Sequence, residues 1–168
     1  MSILVFNSGS SSLKFQFFDA LDKHLLQSRV RGKVSSLGVQ ARCAWNVDGV
    51  DHTASRAIHN HQQAAEWVIS CLQDLDLTRS ITAVGHRVVH GGDEFSAPMR
   101  LTNAVINSIE SLSMLAPLHN PLAVQVMRAC QSFFSHTLPQ VAVFDTAFFH
   151  GLPDTARYYA LPEQWTRD

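Results

Sequence analysis

A chain of 168 residues, 46% hydrophobic and 16% charged, has the length and composition of one globular domain, which excludes a disordered or low-complexity protein. Net charge is −1 and the 13 Lys and Arg are scattered along the sequence, so no basic stripe for nucleic acid or an anionic membrane is expected. No apolar run approaches the roughly 20 residues of a membrane-spanning helix.

The chain opens on an apolar strand, Ile3-Leu4-Val5-Phe6, that empties into Asn7-Ser8-Gly9-Ser10-Ser11-Ser12, with Lys14 just beyond. Gly9 lets backbone come close, the serines and Asn7 offer donors, and Lys14 adds a point charge, a combination suited to an anion. A P-loop would read G-x-x-x-x-G-K-[ST] and open a helix. Here Leu13, Phe15 and Phe17 alternate with Lys14 and Gln16, so the chain returns as a strand and the cradle lies in a hairpin turn. An ordinary polar turn uses the same residue types, and the segment gains meaning only beside the motifs further along the chain.

Leu26, Val30 and Val34 suggest the next strand. Val39, Ala41, Cys43, Trp45 and Val47 alternate with polar neighbours up to Asp48-Gly49, a hairpin turn into Val50-Asp51-His52-Thr53. A helix over roughly 60–76 carries the stripe Ala64, Ala65, Val68, Cys71, Leu72 and Leu75. Residues 81–89 read as a buried strand. Thr102 caps a helix whose inner face is Val105, Ile106, Ile109 and Leu112. Asn120-Pro121 reads as cap plus first turn of another helix, and Val141-Ala142-Val143-Phe144 comes next as a strand. Antiparallel strands followed by α-β-α-α-β predict an α/β domain, a mixed sheet flanked by helices.

The nine histidines lack zinc-site spacing. Cys43, Cys71 and Cys130, odd in number and far apart, are expected to be reduced and buried. With no basic segment or long apolar run in residues 1–18, no signal peptide is expected, and the reading is of a cytoplasmic protein.

Three later segments carry chemistry. In Gly85-His86-Arg87-Val88-Val89-His90-Gly91-Gly92 an arginine sits near the end of a central strand, sharing a face with Val89 two residues on. Such an arginine either pairs with an internal acid or holds a carboxylate or phosphate in its planar fork. His86 and His90 fall on the other face and read as structural. Leu115-Ala116-Pro117-Leu118-His119-Asn120-Pro121 delivers His119 to a helix start, where anions are favoured. Asp145, just past the strand 141–144, stands where open α/β sheets place ligands, although a turn would also use it.

Taken together these segments resemble the acetate kinase family of short-chain carboxylate kinases. Val5 to Lys14 matches its opening motif and Gly85 to Gly92 its second signature, while 115–121 and 144–150 match its Leu-Ala-Pro-Leu-His-Asn-Pro and Phe-Asp-Thr-Ala-Phe-His patterns, the last with Phe149 before His150. The resemblance implies the actin-like, ribonuclease H-like ATPase fold and Mg2+-dependent phosphoryl transfer from ATP to acetate, giving acetyl phosphate and ADP. A propionate- or butyrate-type kinase and a non-catalytic binding module are the alternatives. By motif position, Asn7 would help bind Mg2+ and Lys14, with Ser10 and Ser12, the ATP phosphates. Arg87 would hold the substrate carboxylate, with Val89 and Leu118 walling its methyl group; His119 would contact the transferring phosphoryl, and Asp145 would be the catalytic carboxylate. Small-molecule substrates are implied, and a homodimeric parent enzyme. Segments of the family beyond this stretch are missing, and the end around Trp165 has no closing element. The expectation is therefore an N-terminal, substrate-side domain over 1–168, inactive or very weak alone.

Overall fold

The computed structural model describes residues 1–22, 25–134, 137–157 and 160–162; the reading around Trp165 lies outside them. Strand β1 (Ser2–Gly9) turns at Ser10-Ser11 into β2 (Ser12–Ala20). A meander of β3 (Leu26–Ser35), β4 (Gly38–Val47) and β5 (Val50–Ile58) comes next, each strand antiparallel to the one before. Helix α1 (His61–Asp74) leads to β6 (Ile81–Val88), parallel to β1. Then come a two-residue β7 (Met99–Arg100), helices α2 (Asn103–Ser111) and α3 (Asn120–Phe133), and β8 (Gln140–Phe144), parallel to β6. A 3-10 turn over Asp145–Phe149 and the short helix α4 (Asp154–Arg157) complete the described chain. The eight strands form one mixed sheet in the order β5-β4-β3-β2-β1-β6-β8-β7. No described helix is long and apolar enough to cross a membrane.

Period-two strands explain the layering. Leu4, Phe6, Leu13, Phe15, Phe17 and Val84 point to one face and are 4% exposed or less, packed with Ala64, Ala65, Val68 and Leu72 of α1 and Val126, Ala129 and Cys130 of α3. Gly32 is needed on that face. A Cβ there would lie 2.6 Å from the Phe15 ring and 2.7 Å from Trp45 Cβ. Phe15 and Trp45 both meet the Trp67 ring edge-on, at centroid distances of 6.5 and 5.3 Å, and burying each aromatic contributes roughly 1.5–3 kcal/mol. A second cluster of Val88, Phe95, Ile106, Ile109, Met127 and Phe144 fixes the carboxyl ends of β6 and β8 under α2 and α3.

Local signals act as expected at most ends. Asp48 and Gly49 take φ values of 47° and 94°, the positive-φ pair a twisted two-residue hairpin requires. Thr102 Oγ1 accepts from Val105 N at 3.2 Å and caps α2. Asn60 Oδ1 accepts from Gln63 N, which satisfies one orphan donor of α1, and Gln63 Oε1 in turn accepts from His59 N just before the cap, both at 2.8 Å.

Four readings need correction. The cap of α3 is His119, without a side-chain cap bond, and Asn120 is already helical, because its amide is engaged elsewhere. Strand β6 stops at Val88, so Val89 lies beyond the pleat that would align it with Arg87. Val39 is 76% exposed, at a register break between Gly38 and Ala41. Leu75 is 39% exposed because α1 ends at Asp74.

Candidate active site

The carboxyl ends of the parallel strands gather the polar residues. Asn7 of β1 is in register with Arg87 of β6, which is in register with Val143 of β8, and Asp145 lies two residues later. Arg87 Nε donates to Asp145 Oδ1 at 2.9 Å and to Oδ2 at 3.1 Å, Nη2 donates to Oδ2 at 2.6 Å, and Nη1 donates to Asn7 Oδ1 at 2.9 Å. The hydrogen bond to Asp145 raises the already high guanidinium pKa, against a smaller opposing effect of burial, and the aspartate's negative charge adds to it, so Arg87 is a permanent cation.

Of the two readings of Arg87, the structure shows the pairing with an internal acid, and that acid is Asp145. Their side chains are 46% and 38% exposed. A pair so accessible is worth about 0–1 kcal/mol, small enough for an incoming anion to exchange with one partner.

Lys14 stands next to Asn7 across the β1–β2 hairpin, and Ser12, paired with Gly9, shares the Lys14 face. Ser10 and Ser11 are exposed at the tip. The hairpin is held from behind by His61, 2% exposed, whose Nε2 donates to the Gly9 carbonyl at 2.8 Å. Sequence reasoning missed this tether, although a histidine immediately after the Asn60 cap was visible.

The loop after β6 is tied down just as closely. Asn120, fully buried, accepts from His90 N at 3.2 Å and donates to His90 O at 2.9 Å. Gly91 N donates to Thr146 Oγ1 at 2.9 Å, and Gly92 N donates to His90 Nδ1 at 2.9 Å. Gly91 has no room for a side chain: a Cβ would sit 2.7 Å from the Phe95 carbonyl oxygen. Asn120, read from the sequence as a helix cap, and Thr146, which had no role there, therefore fix the loop beyond Arg87.

Beneath the site His86 is structural, as its strand face suggested. It is buried, stacked on Phe6 at 6.0 Å, and its Nε2 lies 2.8 Å from Oε1 of Gln140. Burial pushes its pKa down to about 4, against a smaller upward effect of the Gln140 hydrogen bond.

The structure brings Asn7, Lys14, Arg87 and Asp145 together. The apolar wall is less complete: Val89 is half-buried and Leu118 is 67% exposed. His119 is half-buried at the start of α3. A cleft of about 460 Å3 beside Thr146 is lined by His90, Leu112, Leu115, Phe149 and His150, with neither Val89 nor Leu118.

An antiparallel hairpin joined to parallel strands in one mixed sheet flanked by helices is the arrangement of one domain of an actin-like ATPase fold. Two solved structures share it. The Porphyromonas gingivalis acetate kinase matches with a TM-score of 0.87 at 34% identity, over 98% of this chain and 42% of that one. The propionate kinase from Francisella tularensis subsp. tularensis SCHU S4 matches at 0.85 and 34%, over 99% and 42%. The acetokinase family model matches residues 2–168, and the chain belongs to that family. Among curated relatives, the acetate kinase of Shewanella woodyi is 41% identical over 170 residues, covering 99% of this chain, and that of Halothermothrix orenii 42% identical over 172 residues, covering 98%. The chain spans 42% of the length of each.

Proposed function

We propose that this chain supplies the carboxylate-holding half of an acetate kinase, which transfers a phosphoryl group reversibly from ATP to acetate. The observation that carries the reading is the Asn7–Arg87–Asp145 cluster beside Lys14, at the strand ends where three of the four family motifs converge. Arg87 holds the substrate carboxylate in its fork, and Lys14 and the Ser10–Ser12 turn face the phosphates. His119 contacts the transferring group, while Val89 and Leu118 limit the acyl chain. Phosphoryl transfer needs in-line positioning and cations around spreading negative charge, with little covalent chemistry from the protein.

Asp145 is not a general base in this scheme, because acetate is already ionised at neutral pH with a model carboxyl pKa of about 4. It orients Arg87 and the phosphoryl oxygens. Asn7 and Asp145 present hard oxygen donors converging on one cationic group, while the described residues hold no cluster of three or more His, Cys, Asp or Glu. That donor set fits Mg2+ held largely by phosphate oxygens and water. The ion would neutralise charge on the phosphates, with Asn7 and Asp145 as its protein contacts.

The test is a chimera joining this chain to the C-terminal part of the Shewanella woodyi acetate kinase. Formation of acetyl phosphate from ATP, Mg2+ and acetate is expected, with propionate run in parallel, and the chain alone should show no comparable turnover. Arg87→Ala should weaken acetate use by about 1.5–3 kcal/mol, the value of a charge-assisted hydrogen bond, and leave the ATP KM nearly unchanged. Unchanged acetate kinetics in that variant would contradict the assignment. So would turnover on the order of 1–1000 per second by the chain alone.

A further inference from the structure

Cations that are scattered along the sequence are gathered by the strand register. Asn7, Lys14, Lys33, Ala44 and Thr53 stand abreast across β1 to β5, and Gln16, Arg31, Asn46 and Asp51 stand abreast two residues further along. Alternate residues share a face, so Lys14, Lys33 and Arg31 project together, and all three are exposed. Arg42, in register with Ser35, joins the same face from the row on the other side. The acid within these rows is Asp51, whose Oδ1 accepts from Asn46 Nδ2 at 2.7 Å.

Lys14 and Lys33 are direct cross-strand partners, with Cβ atoms roughly 4.5–5.5 Å apart, an arrangement that destabilises a sheet when the charges are alike. Among the described residues no ion pair relieves Lys14, Lys33 or Arg31. The same strand shows the contrast. Arg29, two residues before Arg31, lies within 3.4 Å of Asp19 and 3.3 Å of Asp48. Between the two rows lies a cleft of about 600 Å3, bordered by Lys14, Arg31 and Lys33, with Asp51 of β5 also on its rim, and floored by the backbone at Gly32.

We propose that this cleft is an oligophosphate site, in which Lys14, Lys33 and Arg31 hold successive phosphate groups of a chain whose inner end lies by Asn7 and Arg87. Lys14 and Lys33 stand one strand spacing apart, about 5 Å, so their flexible side chains and that of Arg31 suit two or three linked phosphates better than a single phosphate. Lysines act as point charges and Arg31 as a fork for two oxygens. The family motif covers Lys14; Lys33 and Arg31 lie outside it. The inference rests on the kinase reading only for which end points to Arg87.

Calorimetric titration of the 168-residue chain at low ionic strength with inorganic triphosphate, monophosphate and ATP tests it. Triphosphate is expected to bind at least about tenfold tighter than monophosphate, and Lys33→Ala and Arg31→Ala each to weaken it by about tenfold. Lys33→Arg should retain binding. Lys33→Ala should also raise the thermal midpoint of the ligand-free chain, because it removes the facing like charge. Weaker binding together with higher stability cannot come from misfolding. ATP binding no tighter than triphosphate supports recognition of the phosphate chain, whereas ATP binding without triphosphate binding overturns it. Unchanged triphosphate affinity in Lys33→Ala overturns it as well. If Lys33-dependent binding persists while Arg87→Ala leaves the chimera's acetate kinetics intact, the kinase reading fails and the oligophosphate site stands.

Discussion

The parallel centre and the antiparallel wing of this sheet handle positive charge in opposite ways. At the centre, Arg87 is gripped by Asp145 and Asn7 through four hydrogen bonds. On the wing, Lys14 faces Lys33 with no acid between them. The two arrangements share one row of the sheet, since Asn7 neighbours both Arg87 and Lys14. The centre is thus an ordered constellation whose cation, on the proposed function, would trade a partner to take substrate. The wing is a field of unpaired cations that the proposed phosphate ligand would relieve.

The largest effect expected from breaking this contrast is at Asp145. In the chimera Asp145→Asn keeps the shape and removes the charge, and kcat should fall about a hundredfold or more, the scale of losing one preorganised electrostatic contact. The thermal midpoint should change little, because the exposed pair contributes little to folding. Nearly full kcat, or unfolding, would make Asp145 a turn residue and dissolve the distinction between the two regions.

Acid should separate the regions next. His86 has its folded pKa lowered to about 4, against an unfolded value of about 6.5. Between those values the unfolded chain binds more protons, so stability rises with pH through this window. Its contribution, up to about 3 kcal/mol, is fully present above pH 6.5 and lost as pH falls towards 4. Urea midpoints measured across that range should track the loss, and His86→Phe should flatten the slope. Hydrogen exchange should show β6 and β8 weakening before β4 and β5; simultaneous loss would mean the centre has no acid sensitivity of its own.

A smaller effect belongs to Asn120→Ala, which leaves the backbone groups of His90 without their partner and should destabilise the chain by about 2 kcal/mol. Smallest is Thr102→Ala, a lost helix cap worth about 1 kcal/mol. It lies away from both charged regions and should leave acetate and triphosphate binding unchanged. A change in either would show that α2 is coupled to the site.

What the sequence disclosed was whatever depended on local pattern. An apolar run announced β1, alternation announced β2 and β4, Asp48-Gly49 announced its turn, and Thr102 announced α2. The motifs named Asn7, Arg87 and Asp145, but not that they bind one another, since Arg87 and Asp145 are 58 positions apart and only the parallel register unites them. The same holds for Lys14 and Lys33. Charge scattered along a chain says nothing about charge on a face until pairing is known. Asn120 misled because Asn before Pro is a good capping signal, and a long-range partner outcompeted the local one. Strand β7 is two residues long, too short for any periodicity to reveal.

The amide of Asn120 has a mechanical consequence. By meeting both the N–H and the C=O of His90, it reproduces what a neighbouring strand would give, two residues after the ladder of β6 has ended. The first turn of α3 and the exit of β6 are riveted into one body. A displacement imposed on His119 by a ligand therefore travels into the segment behind Arg87 without passing through the sheet, and the His90 amide should exchange with solvent as slowly as a core strand despite lying in a loop.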